Sequence, residues 1–317
     1  MLLSIIFTGI IISACLAEKD QNRNSDTQKL GFSGLAQIND ASFLAVYDLK
    51  SFEDGPRLSV ISLKDDEGYR IDPVTITDWL HKDGRGSDLE AACKIPGSMN
   101  EFLITESGQW DGAYGRIFHV KIDRSLNEYH GEVLGVFDLP VFEPKGPDKS
   151  DGDEFEGLAC FQNEDDRTFI ILGERGGSSA YPNGVLRWAE VDLTSYTLIW
   201  TQNGEDGYQV DAPGIWENRA TNRDISGLYL DKENVLWGTG SEDLGDAGPF
   251  QSVIYKLGRI DINEDEPVIL ESNLEVVRYV AGFKIEGISS GLEGISGSKF
   301  SIATEDEVYG GVWRVIN

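Results

Sequence analysis

The chain has 317 residues, 40% of them apolar, enough for a sizeable core in one repeat domain or two ordinary ones. Asp and Glu outnumber Lys and Arg by 55 to 27, and the net charge of −28 disfavours nucleic acid or an anionic membrane surface as partner while suiting cations. Thirty-six glycines and two methionines fit a turn-rich β protein better than a helical one.

In chain order, residues 1–14 carry no charge, are too short an apolar run to span a bilayer, and lead into Cys15 through Ile12-Ser13-Ala14. The segment resembles a bacterial lipoprotein signal. That resemblance implies cleavage before Cys15, a lipid on its sulfur as the only membrane contact, and a place in the bacterial cell envelope, on the periplasmic side or the cell surface. The n-region lacks Lys and Arg, so a plain secretory signal is the alternative. Residues 15–27 are polar and aperiodic, as a tether should be, and residues 28–317 form the expected folded unit.

Five short stretches then recur: FSGLA at Ser33, DLEAA at Glu90, FEGLA at Glu156, DISGL at Ser226 and KIEGI at Glu286. Each is an oxygen-bearing residue, then glycine or alanine, then an apolar residue. The spacings of 57, 66, 70 and 60 predict a repeat architecture in which every unit sends one polar group to a common place. A second LEGI at Glu293 competes with Glu286, but it would leave only 12 residues to the next acidic strand end.

After each motif comes a strand-like run ending on an acid: Asp48, Glu106, Glu174, Glu242 and Glu305. A third alternating run follows in every unit (57–63, 116–122, 185–193, 252–260 and 312–316) and a fourth in the first four. Four antiparallel strands per unit, five times, predict an all-β fold: a five-bladed β-propeller, closed by an N-terminal strand near 28–32. Cys93 and Cys160 lie on successive inner strands, where a disulfide and two buried thiols are both open.

Innermost strands would carry Ser33, Glu90, Glu156, Ser226 and Glu286 as a ring about the axis. Three carboxylates roughly 5 Å apart repel by about 3 kcal/mol per pair at an effective dielectric near 20, so protons or a cation must relieve them. An all-oxygen set favours Ca²⁺, with Mg²⁺ as alternative. Asp48, Glu106, Glu174, Glu242 and Glu305 are expected to line a funnel on the same face, with Arg85, Arg175, Arg219 and Arg223 supplying positive charge; Arg175 is the favoured rim residue. No GxSxG, Walker or HExxH pattern is present, so catalytic residues are not assigned.

On the phrases DLEAA, FEGLA, DISGL and IEGIS, the chain resembles the SdiA-regulated family of bacterial periplasmic five-bladed propellers over about residues 28–317. Its central site is similar to that of the calcium-activated nucleotidases (apyrases), and more loosely to phytase-like esterase propellers. The resemblance implies a calcium-binding, monomeric propeller with a funnel for a small molecule. The alternative it implies is a calcium-dependent phosphoesterase acting on a phosphate-ester ligand.

Overall fold

The computed structural model describes residues 30–317, apart from 52, 65–67, 83, 111–112, 143–153, 179–180, 220, 243 and 294. The leader, Cys15 and the tether lie outside the described residues. Five antiparallel blades follow one another. The inner strands are Gly34–Asn39, Leu89–Lys94, Phe155–Gln162, Asn222–Leu230 and Ile285–Ser290, each paired with the next strand in the chain. Blades one and two each have four long strands and are joined at their outer edges by a parallel contact between Tyr69–Ile76 and Glu128–Asp138. In blades three and four the third strand is also paired by an extra short strand, Tyr208–Val210 and Val276–Ala281 respectively.

The fifth blade has three strands among the described residues, Ile285–Ser290, Phe300–Thr304 and Trp313–Ile316. The N-terminal segment ties into it through the Phe32 N–H to the Thr304 carbonyl (2.9 Å) and the Gly311 N–H to the Leu30 carbonyl (2.9 Å). First and last parts of the chain thus meet in one blade.

Apolar side chains fill the seams between blades, as expected of strands buried on both faces. Leu44, Val46, Phe102, Ile104 and Phe118 pack between blades one and two. Ala91, Leu103, Leu158, Ile170 and Leu172 pack between two and three. Ile171, Trp188, Ile225, Val253 and Tyr255 continue between three and four, and the clusters around Trp237 with Ile302 and around Phe43 with Trp313 complete the circle.

At the centre the inner strands approach so closely that a side chain has no room. A Cβ on Gly34 would come within 2.6 Å of the Glu90 carbonyl, and one on Gly227 within 2.4 Å of the Glu286 carbonyl. This is the physical reason for the small residue after each motif position. Cys93 and Cys160 form a disulfide, Cα to Cα 5.7 Å, which resolves the open choice and links the inner strands of blades two and three.

Candidate functional site at the propeller axis

The motif glutamates are the extra residues of β-bulges. In blade two Leu89 opposes Glu106 and Ala91 opposes Thr105, so Glu90 has no partner across the ladder. Glu156 is skipped in the same way between Phe155 and Gly157, and Glu286 between Ile285 and Gly287. A bulge re-aims a side chain out of the alternation of the sheet, and here it puts three carboxylates into one axial cavity.

That cavity, of about 140 Å³, is lined by Asp48, Asp88, Glu90, Glu154, Glu156, Glu286, Glu305 and Glu307, with Lys50, Arg175, Arg223, Lys284 and Ser107. Asp88, Glu154 and Lys284 were not singled out from the sequence. Each stands two residues before a bulged glutamate, but the bulge interrupts the alternation and Asp88 has a φ of 55°, so the strand period gave no signal for them.

The predicted residues separate into two groups. Asp48 and Glu305 follow the last paired residue of their strands, Val46 and Thr304, and turn into the cavity. Glu106, Glu174 and Glu242 are themselves the last strand residues, and their side chains are spent beside the ladder. Glu106 accepts from Arg116 Nε (2.7 Å) and Nη2 (2.5 Å), Glu174 pairs with Arg187, and Glu242 accepts the Glu217 (2.5 Å) and Asn218 (3.1 Å) N–H groups. These three brace loops and do not line the axial cavity.

Ser226 also departs from the expected ring. Its Oγ donates to the Ile285 carbonyl (2.7 Å) and meets Ser241 Oγ (3.0 Å), within the seam between blades four and five. Blade four sends Arg223 to the axis instead. Ser33 is buried, with its Oγ unpartnered among the described residues, and is not part of the cavity wall. Arg219 is paired with Asp211 on the surface, and Arg85, also exposed, offers its carbonyl to Arg116 (3.3 Å); neither reaches the cavity. Glu293 lines a separate depression together with Trp237 and Lys299. The long connection from Gln202 to Arg223 begins with a short helix, Gln202–Asp206, capped by Thr201, and its Trp216 donates to the Ala212 carbonyl (3.2 Å).

The cations inside the cavity are each engaged. Arg223 Nη1 lies 2.9 Å from both Glu156 Oε1 and Glu286 Oε1. Arg175 binds Glu156 Oε1 (3.0 Å) and Glu154. Lys284 Nζ reaches Glu286 (3.1 Å), Glu305 (2.8 Å) and Glu307 (2.5 Å), and Lys50 lies 3.6 Å from Asp88. Glu90 and Asp48 accept no hydrogen bond and join no ion pair from the described residues, and the buried Glu156 Oε2 has no partner.

Proton affinities diverge accordingly. Burial pushes the Glu90 carboxyl well above the usual carboxylate range, and the charges of Asp88 and Asp48 push it further. Burial also acts on Glu156, but Arg223 and Arg175 outweigh it and hold that carboxyl below its ordinary value. Burial raises Glu305 to about 7 against the pull of Lys284. Lys284 is desolvated, yet Glu286, Glu305 and Glu307 keep its ammonium more basic than usual.

The residues present do not fit a calcium or magnesium ion in the manner expected from the sequence. Two serines of the set stand outside the cavity, and Glu156 and Glu286 already face guanidinium and ammonium groups. Among the described residues no group of three or more His, Cys, Asp or Glu is arranged to hold a metal.

No protein-family model and no curated protein matches the chain. Solved structures do resemble it. A thermostable family-43 glycoside hydrolase matches with a TM-score of 0.53 at 14% identity, over 90% of this chain and 88% of that one. A candidate glycoside hydrolase from Parabacteroides distasonis matches with a TM-score of 0.52 at 14% identity, over 90% and 86%. A third, with a TM-score of 0.51 at 13% identity over 91% and 84%, belongs to the GH130 family of mannoside phosphorylases, which contains hydrolases of β-1,2-mannosidic linkages in Candida mannan. At these identities the likeness is one of fold, and it agrees with a five-bladed propeller.

These findings correct two expectations. The resemblance to the SdiA-regulated, apyrase and phytase-like propellers is not upheld, since no family model matches and the solved neighbours are glycoside hydrolases. The motif phrases recur because the inner strands crowd together at the axis, with a small residue after each motif position and a bulge at the motif glutamate of three blades, which are features of the fold. The functional reading as a calcium-binding ligand protein or calcium-dependent phosphoesterase falls with it. Arg175, the favoured rim residue, is committed to Glu154 and Glu156.

Proposed function

We propose that this chain hydrolyses glycosidic bonds, with Glu90 as proton donor and Glu156 as the fixed negative charge beneath the sugar. The observation that carries the reading is the pairing, in one desolvated cavity, of an unpartnered carboxyl that keeps its proton with a carboxylate that Arg175 and Arg223 keep ionised. Two carboxyl groups with affinities driven apart by their surroundings are what acid-assisted cleavage of an acetal needs. The family-43 and GH130 structures that share the fold are named for reactions on glycosides, and this adds to the reading.

In this mechanism the Glu90 carboxyl gives its proton to the glycosidic oxygen as the bond from that oxygen to the anomeric carbon breaks. Glu156, held ionised by Arg223 and Arg175, supplies the negative charge that offsets the positive charge developing on that carbon. Water then adds there, and its proton goes to the Glu90 carboxylate, which restores the starting state. A cavity of about 140 Å³ is smaller than the few hundred cubic ångströms of ordinary ligand sites, so it takes one terminal sugar unit, and cleavage proceeds from a chain end.

A panel of 4-nitrophenyl glycosides, covering the common hexoses, pentoses and amino sugars, tests the reading. Release of nitrophenol by the wild-type chain is expected from at least one member. Glu90→Gln should lower kcat by about 10²- to 10⁴-fold, the range for loss of a general acid, without lowering Tm. No release from any member, or full activity in Glu90→Gln, overturns it.

A further inference from the structure

We propose that the sugar taken into the axial cavity carries a protonated amine and that Asp48 receives it. The inference rests on the hydrolase reading for the word sugar, and on the geometry of the cavity for the amine.

Eight carboxyl groups and four cations line the cavity, and every one of the four cations is already engaged by a carboxylate. Even with Glu90 and Glu286 holding protons, six carboxyls face four cations, so an anionic sugar would find no unspent positive charge and a residual excess of negative charge. A neutral sugar would leave that excess in place. A ligand ammonium removes part of it, and it is a compact donor of three hydrogen bonds.

Asp48 is the acceptor because of where it stands and what it lacks. It comes just past the last paired residue of its strand, accepts nothing from the described residues, and borders both the axial cavity and an adjoining one of about 340 Å³ that also contains Asp246 and Val308. Burial raises the Asp48 carboxyl, and Lys284, the cation that opposes this most, is held by Glu286, Glu305 and Glu307, so a ligand ammonium brings the charge that favours its ionised form. Glu90, more than nine-tenths buried and equally without a described partner, opens on the same space, so neither carboxyl receives a donor from the wall. An amine seated at Asp48 supplies one and leaves the Glu90 proton for the leaving group.

Calorimetric titration of the full chain at pH 7, in buffer with EDTA, tests this with glucosamine, galactosamine and mannosamine against glucose, galactose, mannose and N-acetylglucosamine; calcium chloride is titrated separately without chelator. At least one amino sugar should bind tenfold or more tighter than its neutral parent and its acetylated form. Asp48→Asn should erase that preference, and Asp48→Glu should restore most of it, with melting curves confirming that both variants fold. Equal binding of amine and parent, no binding of any sugar, an amine preference that survives Asp48→Asn, or binding of calcium where no amine binds would each overturn the proposal. Binding needs no turnover, so the two ideas fail separately. Hydrolysis of neutral glycosides without amine preference sinks this inference alone, and amine binding without hydrolysis of any glycoside sinks only the hydrolase reading.

Discussion

The two mouths of the central channel are made by the same five inner strands, yet they share almost no chemistry. Where the strands begin, bulges turn Glu90, Glu156 and Glu286 to the axis, and Arg175, Arg223 and Lys284 hold two of the three. Where the strands end, the wall is Leu35, Ala92, Leu158, Leu228 and Ile288 with Gln37, Lys94 and Lys232 beside them and no carboxylate, and the Cys93–Cys160 disulfide lies across it. The difference teaches that a propeller can assign its charged end to chemistry because the apolar seams and the opposite end carry the fold. Perturbations of the two ends should then have separable consequences.

The largest effect is expected at Arg223. Its guanidinium is the only described group that touches both Glu156 and Glu286, and Arg223→Ala leaves two buried carboxylates short of a cation. Breaking a buried ion pair by removing one partner costs about 3–5 kcal/mol. Denaturant unfolding should show a loss of up to that size, since Arg175 and Lys284 remain, with activity falling as well because Glu156 would keep only one of the two guanidiniums that hold it ionised. A stable and active Arg223→Ala variant would show that the charged end is not organised by this residue.

Next is the disulfide. It closes a loop with a sequence separation of 67, for which chain entropy predicts stabilisation on the order of 4 kcal/mol. Reduction should lower stability by up to that amount while the molecules that stay folded keep their rate per molecule. If reduction abolished turnover without unfolding, the two mouths would be coupled and the separation above would be wrong.

How much of this was readable in the sequence follows from the same geometry. The blade order and the strand runs were legible because alternation and the motif period are local, and third strands such as Arg116–Ser125 begin where the pattern places them. The cavity was legible only in part. A one-residue offset decides whether a strand-end acid reaches the axis, as with Glu305, or braces a loop, as with Glu242, and composition does not record that offset. Nor does it record that Lys284 and Arg223 arrive to neutralise the ring, since that depends on blades meeting across the axis.

A smaller effect appears as a slope in stability against pH. Glu305 is raised to about 7 in the folded chain and titrates near its ordinary value when unfolded, so between roughly pH 4.5 and 7 the native state holds more protons. Stability contributed by this group therefore falls as pH rises through that window. Burial moves Glu90 and Glu286 in the same direction. Glu305→Gln, which keeps an acceptor for Lys284 without a titrating group, should flatten the slope of Tm against pH over this range. An unchanged slope would mean that Glu305 is not the buried, proton-holding group the charged mouth requires.

The smallest expected effect is that of calcium, and its near absence is the informative result. To bind in the ring, the ion would have to replace Arg223 and Lys284 on Glu156 and Glu286, and it would gain no oxygen from Ser226, which is turned into a seam. A site of micromolar affinity would add about 4 kcal/mol to stability at millimolar calcium. Melting curves in millimolar calcium and in EDTA should instead coincide. A rise of several degrees with calcium would show that carboxylates such as Asp48, Asp88 and Glu90, which the cations leave less covered, can rearrange around an ion. The contrast between the two mouths would then be one of metal against disulfide, with ion pairs only filling the vacancy.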